Sequence, residues 1–224
     1  MTDDITGDAG PSEKDDNFET EMAEWLPKVG NRLFVASDTG ARLDPLGYTS
    51  GGEPRAKTGR CELYADGFLS AADRLVELAG QIDQDELIYP IFTLYRHHLE
   101  LQLKWVIRWS PCCSKDIREW LAGKHSLVAL WDKLKEVYPR FCAWTTPRCT
   151  KACRQLIGEF DCQDPNSQAS RYPEDKNGNP TLTRLDVVDL STLKLGIHKI
   201  SQYLGTIVEQ IGEDYEWEAE MASW

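Results

Sequence analysis

The chain has 224 residues, 41% of them hydrophobic, and a formal net charge of −12 at pH 7. This length suffices for one globular domain with appendages, and no apolar run approaches the roughly 18 residues that indicate a membrane span. The acidic excess argues against general affinity for nucleic acids, because clustered Lys and Arg bind phosphate backbones. Seven cysteines and an acidic N-terminus without a hydrophobic stretch lead us to expect a cytoplasmic protein with free thiols.

The first 60 residues carry no regular pattern. Residues 1–24 are dominated by Asp, Glu, Gly and Ser, a composition that predicts a disordered acidic N-terminus. Residues 25–60 are rich in Gly, Pro and small polar residues. We expect this second stretch to be an irregular arm that packs Trp25, Leu33 and Phe34 onto the body of the protein.

Three helices are predicted in the next part of the chain. The first covers residues 61–80, where apolar residues recur at helical spacing and Gly80 suits the helix end. The second covers residues 87–109 and is the most strongly amphipathic run in the first half. Ser114 is a good N-cap for a short third helix that ends at Gly123.

The second half continues the helical pattern. A helix follows His125 and is closed by Pro139, and another is predicted over residues 148–161. Residues 162–182 form a turn-rich loop with Asp-Pro, Asn-Gly and Asn-Pro pairs. The last helix has a narrow apolar seam, typical of helix-on-helix packing, at Leu190, Leu193, Ile197, Ile200, Leu204, Ile207 and Ile211.

Together these elements predict an all-α protein, with a bundle of about five to six helices over residues 61–212 and an acidic tail over residues 213–224. Cys149 and Cys153 stand at i, i+4, without the tight C-x2-C pairs of zinc sites. The sequence also lacks a Gly-rich phosphate loop and a G-x-S-x-G nucleophile motif. We therefore expect neither a metal nor a cofactor.

A charged cluster lies at the centre of the second predicted helix. Arg96, Glu100 and Lys104 follow one another at i, i+4, so they share one face and can pair along it. His97 stands three residues before Glu100, close enough to be oriented by it. Two interpretations remain open: a solvated face with ordinary ion pairs, or the lining of a functional site.

Arg and His together can cleave RNA without a metal. The imidazole moves the proton of the ribose 2′-hydroxyl, and the guanidinium stabilises charge on the phosphate. Arg118 and His125 are separated by six residues across a helix end, a spacing that lets them converge. Alternatively, His125 caps or packs at the helix start, and we assign His198 to the surface or to a helix interface.

Three stretches resemble one known family. They are RHHLELQLK at residues 96–104, HSLVALWDKL at residues 125–134 and SRYP at residues 170–173. In this order they are similar to the HEPN domain family (higher eukaryotes and prokaryotes nucleotide-binding). The resemblance implies an up-and-down helical bundle, a homodimer through long helices, and metal-independent ribonuclease activity in prokaryotic toxin or anti-phage defence systems.

The resemblance also suggests roles for individual residues. It implies a catalytic set and a substrate-binding set: Arg96, His97, Glu100, Arg118 and His125 for catalysis, and Lys104, Arg171 and Tyr172 for binding RNA. The chain departs from the family's R-x4–6-H signature, because Arg118-x6-His125 falls on a connector and no Arg stands four to six residues before His198. The alternative is therefore a non-catalytic module of the same fold that binds a partner protein or a nucleotide.

Overall fold

The computed structural model describes residues 59–81, 84–141, 146–183, 185 and 187–222. Within these residues the chain forms six α-helices and no strand, so the prediction of an all-α protein is confirmed. The predictions made for residues 1–24 and for nearly all of the arm over residues 25–60 lie outside the described residues.

The helices follow the order that the sequence predicts. A short 3₁₀ turn, Asp85–Leu87, precedes the second helix. The bounds are α1 (Gly59–Ala79), α2 (Ile88–Trp109), α3 (Lys115–Ala122), α4 (Leu127–Val137), α5 (Pro147–Gln163) and α6 (Leu190–Ala222). In the part of the chain that is described, no helix combines the length and the apolarity needed to cross a membrane.

Side chains at the helix starts satisfy backbone N–H groups that would otherwise lack partners. Ser114 caps α3 as predicted, Ser126 caps α4, Thr146 caps α5 and Asp189 caps the start of α6. In each case the side-chain oxygen accepts a hydrogen bond from the backbone N–H three residues further on. Local sequence chemistry therefore fixes where these four helices begin.

Helix α2 is the centre of the bundle, packed by α1, α4 and α6. Twelve of its 22 residues are buried, and five of these twelve are polar: Arg96, His98, Glu100, Gln102 and Lys104. Arg96 is 0% exposed, Glu100 3% and Lys104 9%. The interpretation of these residues as a solvated face is therefore wrong.

Helix α6 packs its predicted seam against the body through residues such as Ile197, Leu204 and Ile211. The helix does not end with the seam but continues to Ala222, through the residues predicted as an acidic tail. The Glu, Ala and Met residues of this stretch are good helix formers. Its first turn also contacts the body, because Asp214 pairs with Tyr138 and Tyr215 packs on Trp109.

Candidate functional site

The guanidinium of Arg96 connects α2 to two loops, the one before α4 and the one after α5. Its Nε donates a hydrogen bond to the backbone oxygen of Asp164 at 2.7 Å, and its Nη2 donates to the backbone oxygen of His125 at 2.7 Å. Its Nη1 lies 3.2 Å from Glu100 Oε2. Because Arg96 is fully buried and all three of its nitrogens face protein acceptors, its contacts position the site and leave no open face for a phosphate.

Glu100 is the carboxylate around which the site is built. Oε2 pairs with Arg96, while Oε1 accepts hydrogen bonds from Lys104 Nζ at 2.8 Å and from His125 Nδ1 at 3.0 Å. The side chain of Glu100 is only 4% exposed, so these donors offset the cost of burying its charge. The two i, i+4 pairs on α2 that the spacing predicts are confirmed.

His125 is the most accessible imidazole of this cluster, with 52% of its side chain exposed. The Glu100 carboxylate holds Nδ1, which assigns the ring proton to Nδ1 in the neutral form and leaves Nε2 to exchange a proton with a ligand. His125 also lines a cleft of about 880 Å³, together with Tyr172, Glu174 and other residues of the loop after α5. The helix cap that one interpretation gave to His125 is supplied by Ser126.

His97 lies beside this cluster on α2 and is partly exposed. Its ring packs edge-on against Phe68, with 4.5 Å between the ring centroids. Burial is the main reason that the pKa of His97 is lowered; Glu100 opposes this effect, while the nearby cations Lys104 and Arg171 add to it. His97 is therefore a neutral imidazole at neutral pH, and within the described residues no hydrogen bond engages its ring.

The loop after α5 is folded around Asp164, which is fully buried. Its Oδ1 accepts a hydrogen bond from Gln168 N at 2.7 Å and its Oδ2 accepts one from Ser170 Oγ at 2.9 Å. These bonds fix the segment that carries Arg171 and Tyr172, both exposed. A buried aspartate thereby positions Tyr172, which lines the cleft, and its neighbour Arg171, whose Nε donates a hydrogen bond to the backbone oxygen of Ser167.

Asp161 fixes the other side of the site. Its Oδ1 accepts a hydrogen bond from Leu127 N at 2.7 Å, and its Oδ2 accepts one from Ser126 Oγ at 2.9 Å. It also lies 3.7 Å from Arg96 Nη2. Asp161 thus joins the end of α5 to the start of α4, which directly follows His125. It was not among the site residues predicted from the sequence.

Two predicted elements lie apart from the cluster. Arg118 is exposed on α3, and no side-chain contact among the described residues joins it to His125. Its charge acts on Cys113 instead: burial raises the pKa of that thiol, and Arg118 opposes this rise. His198 binds Asp73 through Nε2 at 2.9 Å, which places it at the interface of α1 and α6. The structure therefore assembles Arg96, Glu100, Lys104 and His125, with His97 and Arg171 in electrostatic reach.

This arrangement can move protons. The buried Glu100 carboxylate holds His125 in a defined tautomer at the edge of a cleft, and the neutral His97 lies within electrostatic reach of the same carboxylate but is not among the residues that line the cleft. No protein-family model, no curated protein and no solved structure matches this chain. The function therefore has to be inferred from the chemistry of the site.

Proposed function

We propose that the protein is a metal-independent ribonuclease in which His97 and His125 are the acid–base pair. The observation that carries the proposal is the 3.0 Å hydrogen bond between His125 Nδ1 and Glu100 Oε1 in an imidazole that lines a cleft. A ring oriented by a buried carboxylate, with its second nitrogen accessible, is the arrangement that general acid–base catalysis requires.

The two imidazoles have different protonation roles in the proposed reaction. His97, whose pKa is lowered, accepts the proton of a ribose 2′-hydroxyl as the O2′–P bond forms. His125 donates a proton to the departing O5′ as the P–O5′ bond breaks, and the products are a 2′,3′-cyclic phosphate and a 5′-hydroxyl. Arg171 stabilises the phosphate charge, and Lys104 holds Glu100 in place.

The test is cleavage of a single-stranded RNA oligonucleotide by the full chain in buffer with EDTA. We expect the wild type to cleave, and His97→Ala and His125→Ala each to lower the rate by about 100-fold or more, the usual contribution of general acid–base groups. The matched control is His198→Ala, which removes an imidazole with a comparable carboxylate contact, 2.9 Å from Asp73, away from the cleft.

The substrate class gives a second control. DNA of the same sequence lacks the 2′-hydroxyl and should remain intact. If the wild type leaves the RNA uncleaved, or if the His125→Ala variant keeps full activity, the proposal is wrong. A ribonuclease of a toxin or defence system, the biological role that the HEPN resemblance implies, should also arrest the growth of a bacterial host, and His125→Ala should relieve the arrest.

A second candidate is a non-catalytic module that binds a partner protein, and the charge of the cleft favours it. Glu174 and Asp175 line the cleft beside the buried Asp164, with Lys176 as their basic neighbour. Such a lining suits a cationic side chain of a partner better than a run of phosphates. This candidate predicts no cleavage by the wild type, and binding of an Arg-rich peptide that Glu174→Lys weakens.

A further inference from the structure

The outer end of α6 is an acidic helix that carries uncovered apolar side chains. Trp217 is 61% exposed and Met221 56%, and their i, i+4 spacing places them on one side of the helix. No Lys or Arg follows Lys199 in the sequence, whereas six acids do: Glu209, Glu213, Asp214, Glu216, Glu218 and Glu220. An exposed Trp and Met within such a charged helix end indicate a docking surface.

The chain also carries a surface of opposite charge. A groove of about 360 Å³ between α4 and α5 is lined by Lys135, Lys151 and Arg154 and by one acid, Asp132. Its exposed apolar residue is Pro147, while Trp131, which also lines it, is only 1% exposed. Over residues 137–158 the sequence contains four Lys or Arg and no Asp or Glu, in a chain with a net charge of −12. The groove is therefore a basic surface on an otherwise acidic protein.

The cations of the groove differ in their pairing. Arg154 is engaged by Asp132 across the groove, with 3.3 Å between Nε and Oδ1. Lys135 and Lys151 are exposed, and no ion pair among the described residues involves either of them. Two positive charges are thus available to an acidic occupant.

We propose that the acidic end of α6 in one copy of the chain docks into the α4–α5 groove of a second copy. The charges of the two surfaces are complementary, and the exposed Trp217 and Met221 of the helix end and the exposed Pro147 of the groove add apolar surface to cover. Within one chain Asp214 pairs with Tyr138 and Arg140, whereas Trp217 stays exposed and the groove stays open.

A two-fold symmetric dimer would use this contact twice, because each copy carries one helix end and one groove. The ten residues 213–222 span about 15 Å of helix, so one contact alone is small and the reciprocal pair supplies the area. The inference rests on charge and exposure outside the candidate site, so it does not depend on the ribonuclease proposal.

The test is the molar mass of the full chain, measured by light scattering after gel filtration in about 0.1 M salt. The helix-end variant combines Glu213→Lys with Glu216→Lys, and the groove variant combines Lys135→Glu with Lys151→Glu. We expect a dimer for the wild type and a monomer for each variant alone. An equimolar mixture of the two variants should form a heterodimer, because the reversed helix end fits the reversed groove and the native helix end fits the native groove.

The matched control is Glu119→Lys, which reverses an exposed charge on α3 and should leave the dimer intact. Circular dichroism establishes that each variant keeps its helices, and Trp217→Ser with Met221→Ser should weaken the dimer at least tenfold without a change of charge. A monomeric wild type at about 100 μM, well above the dissociation constants of standard-size interfaces, overturns the proposal. A dimer that survives either charge reversal, or a mixture of the two variants that stays monomeric, also overturns the proposal. The alternative occupants are then a nucleic acid in the groove or a basic partner on the helix end.

Discussion

Replacing Arg96 by Met tests whether the buried ionic network holds the site together. Methionine keeps much of the length of the side chain and fills apolar space, but it removes the charge and every N–H donor. In the wild type the Arg96 guanidinium faces three carboxylates, with Glu100 at 3.2 Å and Asp161 and Asp164 at 3.7 Å each. The variant therefore leaves buried negative charge with less compensation.

The magnitude follows from these contacts. Breaking a buried ion pair by removing one partner costs about 3–5 kcal/mol, because the remaining charge stays desolvated. Arg96 also donates at 2.7 Å to the backbone oxygens of Asp164 and His125, and each buried acceptor left unpaired costs roughly 1–3 kcal/mol. Packing by the Met side chain offsets part of this cost. We expect a loss of about 4 kcal/mol or more in the free energy of unfolding, a large share of the 5–15 kcal/mol typical of a domain.

The assay is equilibrium unfolding in urea, followed by circular dichroism at the helix signal. The matched control is Arg154→Met, because Arg154 pairs with Asp132 at 3.3 Å while their side chains are 37% and 59% exposed. An exposed pair of this kind contributes at most about 1 kcal/mol. If Arg96→Met lowers the free energy of unfolding no more than Arg154→Met does, the ionic network is not what connects α2 to the two loops. The positioning role of Arg96 is then refuted.

Three further changes should have measurable effects. Burial lowers the pKa of His98 in the folded protein, so the unfolded chain binds the proton at a higher pH than the folded chain does. The free energy of unfolding should therefore fall as the pH drops below about 6.5. In urea titrations at several pH values, His98→Gln should make this dependence on pH weaker. Ser126→Ala removes the cap of α4 and a donor to Asp161, and should cost about 1 kcal/mol or more in the same unfolding assay. Tyr138→Phe removes the 2.7 Å hydrogen bond to Asp214, and should raise hydrogen exchange at the outer end of α6 while the first turns of that helix stay protected.

Most of the fold could be predicted from the sequence because its determinants are local. The run predicted as a helix over residues 87–109 forms α2, Ile88–Trp109, since apolar spacing and the break at Ser110 both act within one element. The pairs of Glu100 with Arg96 and Lys104 follow from i, i+4 spacing alone. The extension of α6 to Ala222 was not predicted, because the seam ends at Ile211 while helix propensity continues.

The site could be predicted only in part, because its decisive contacts join distant segments. Arg96 meets the backbone of Asp164 across 68 positions, and Glu100 meets His125 across 25. Asp161 and Asp164 carry no motif that marks them, and their importance arises from the packing of the end of α5 against α2. Whether the charged edge of α2 is solvated or buried depends on how many helices surround it, and a single helix pattern does not contain that information.

The described residues contain two histidine–carboxylate pairs of similar geometry, and their surroundings distinguish the candidate site from a structural contact. His198 and Asp73 lie 2.9 Å apart and join α6 to α1, where the Asp73 carboxylate also accepts a hydrogen bond from Tyr95. His125 and Glu100 lie 3.0 Å apart, but this carboxylate is nearly fully buried and its imidazole opens onto the cleft. A hydrogen-bonded imidazole is therefore not by itself a sign of catalysis. His125 differs because a buried carboxylate, held by its own ion pairs, orients an imidazole that remains accessible to a ligand.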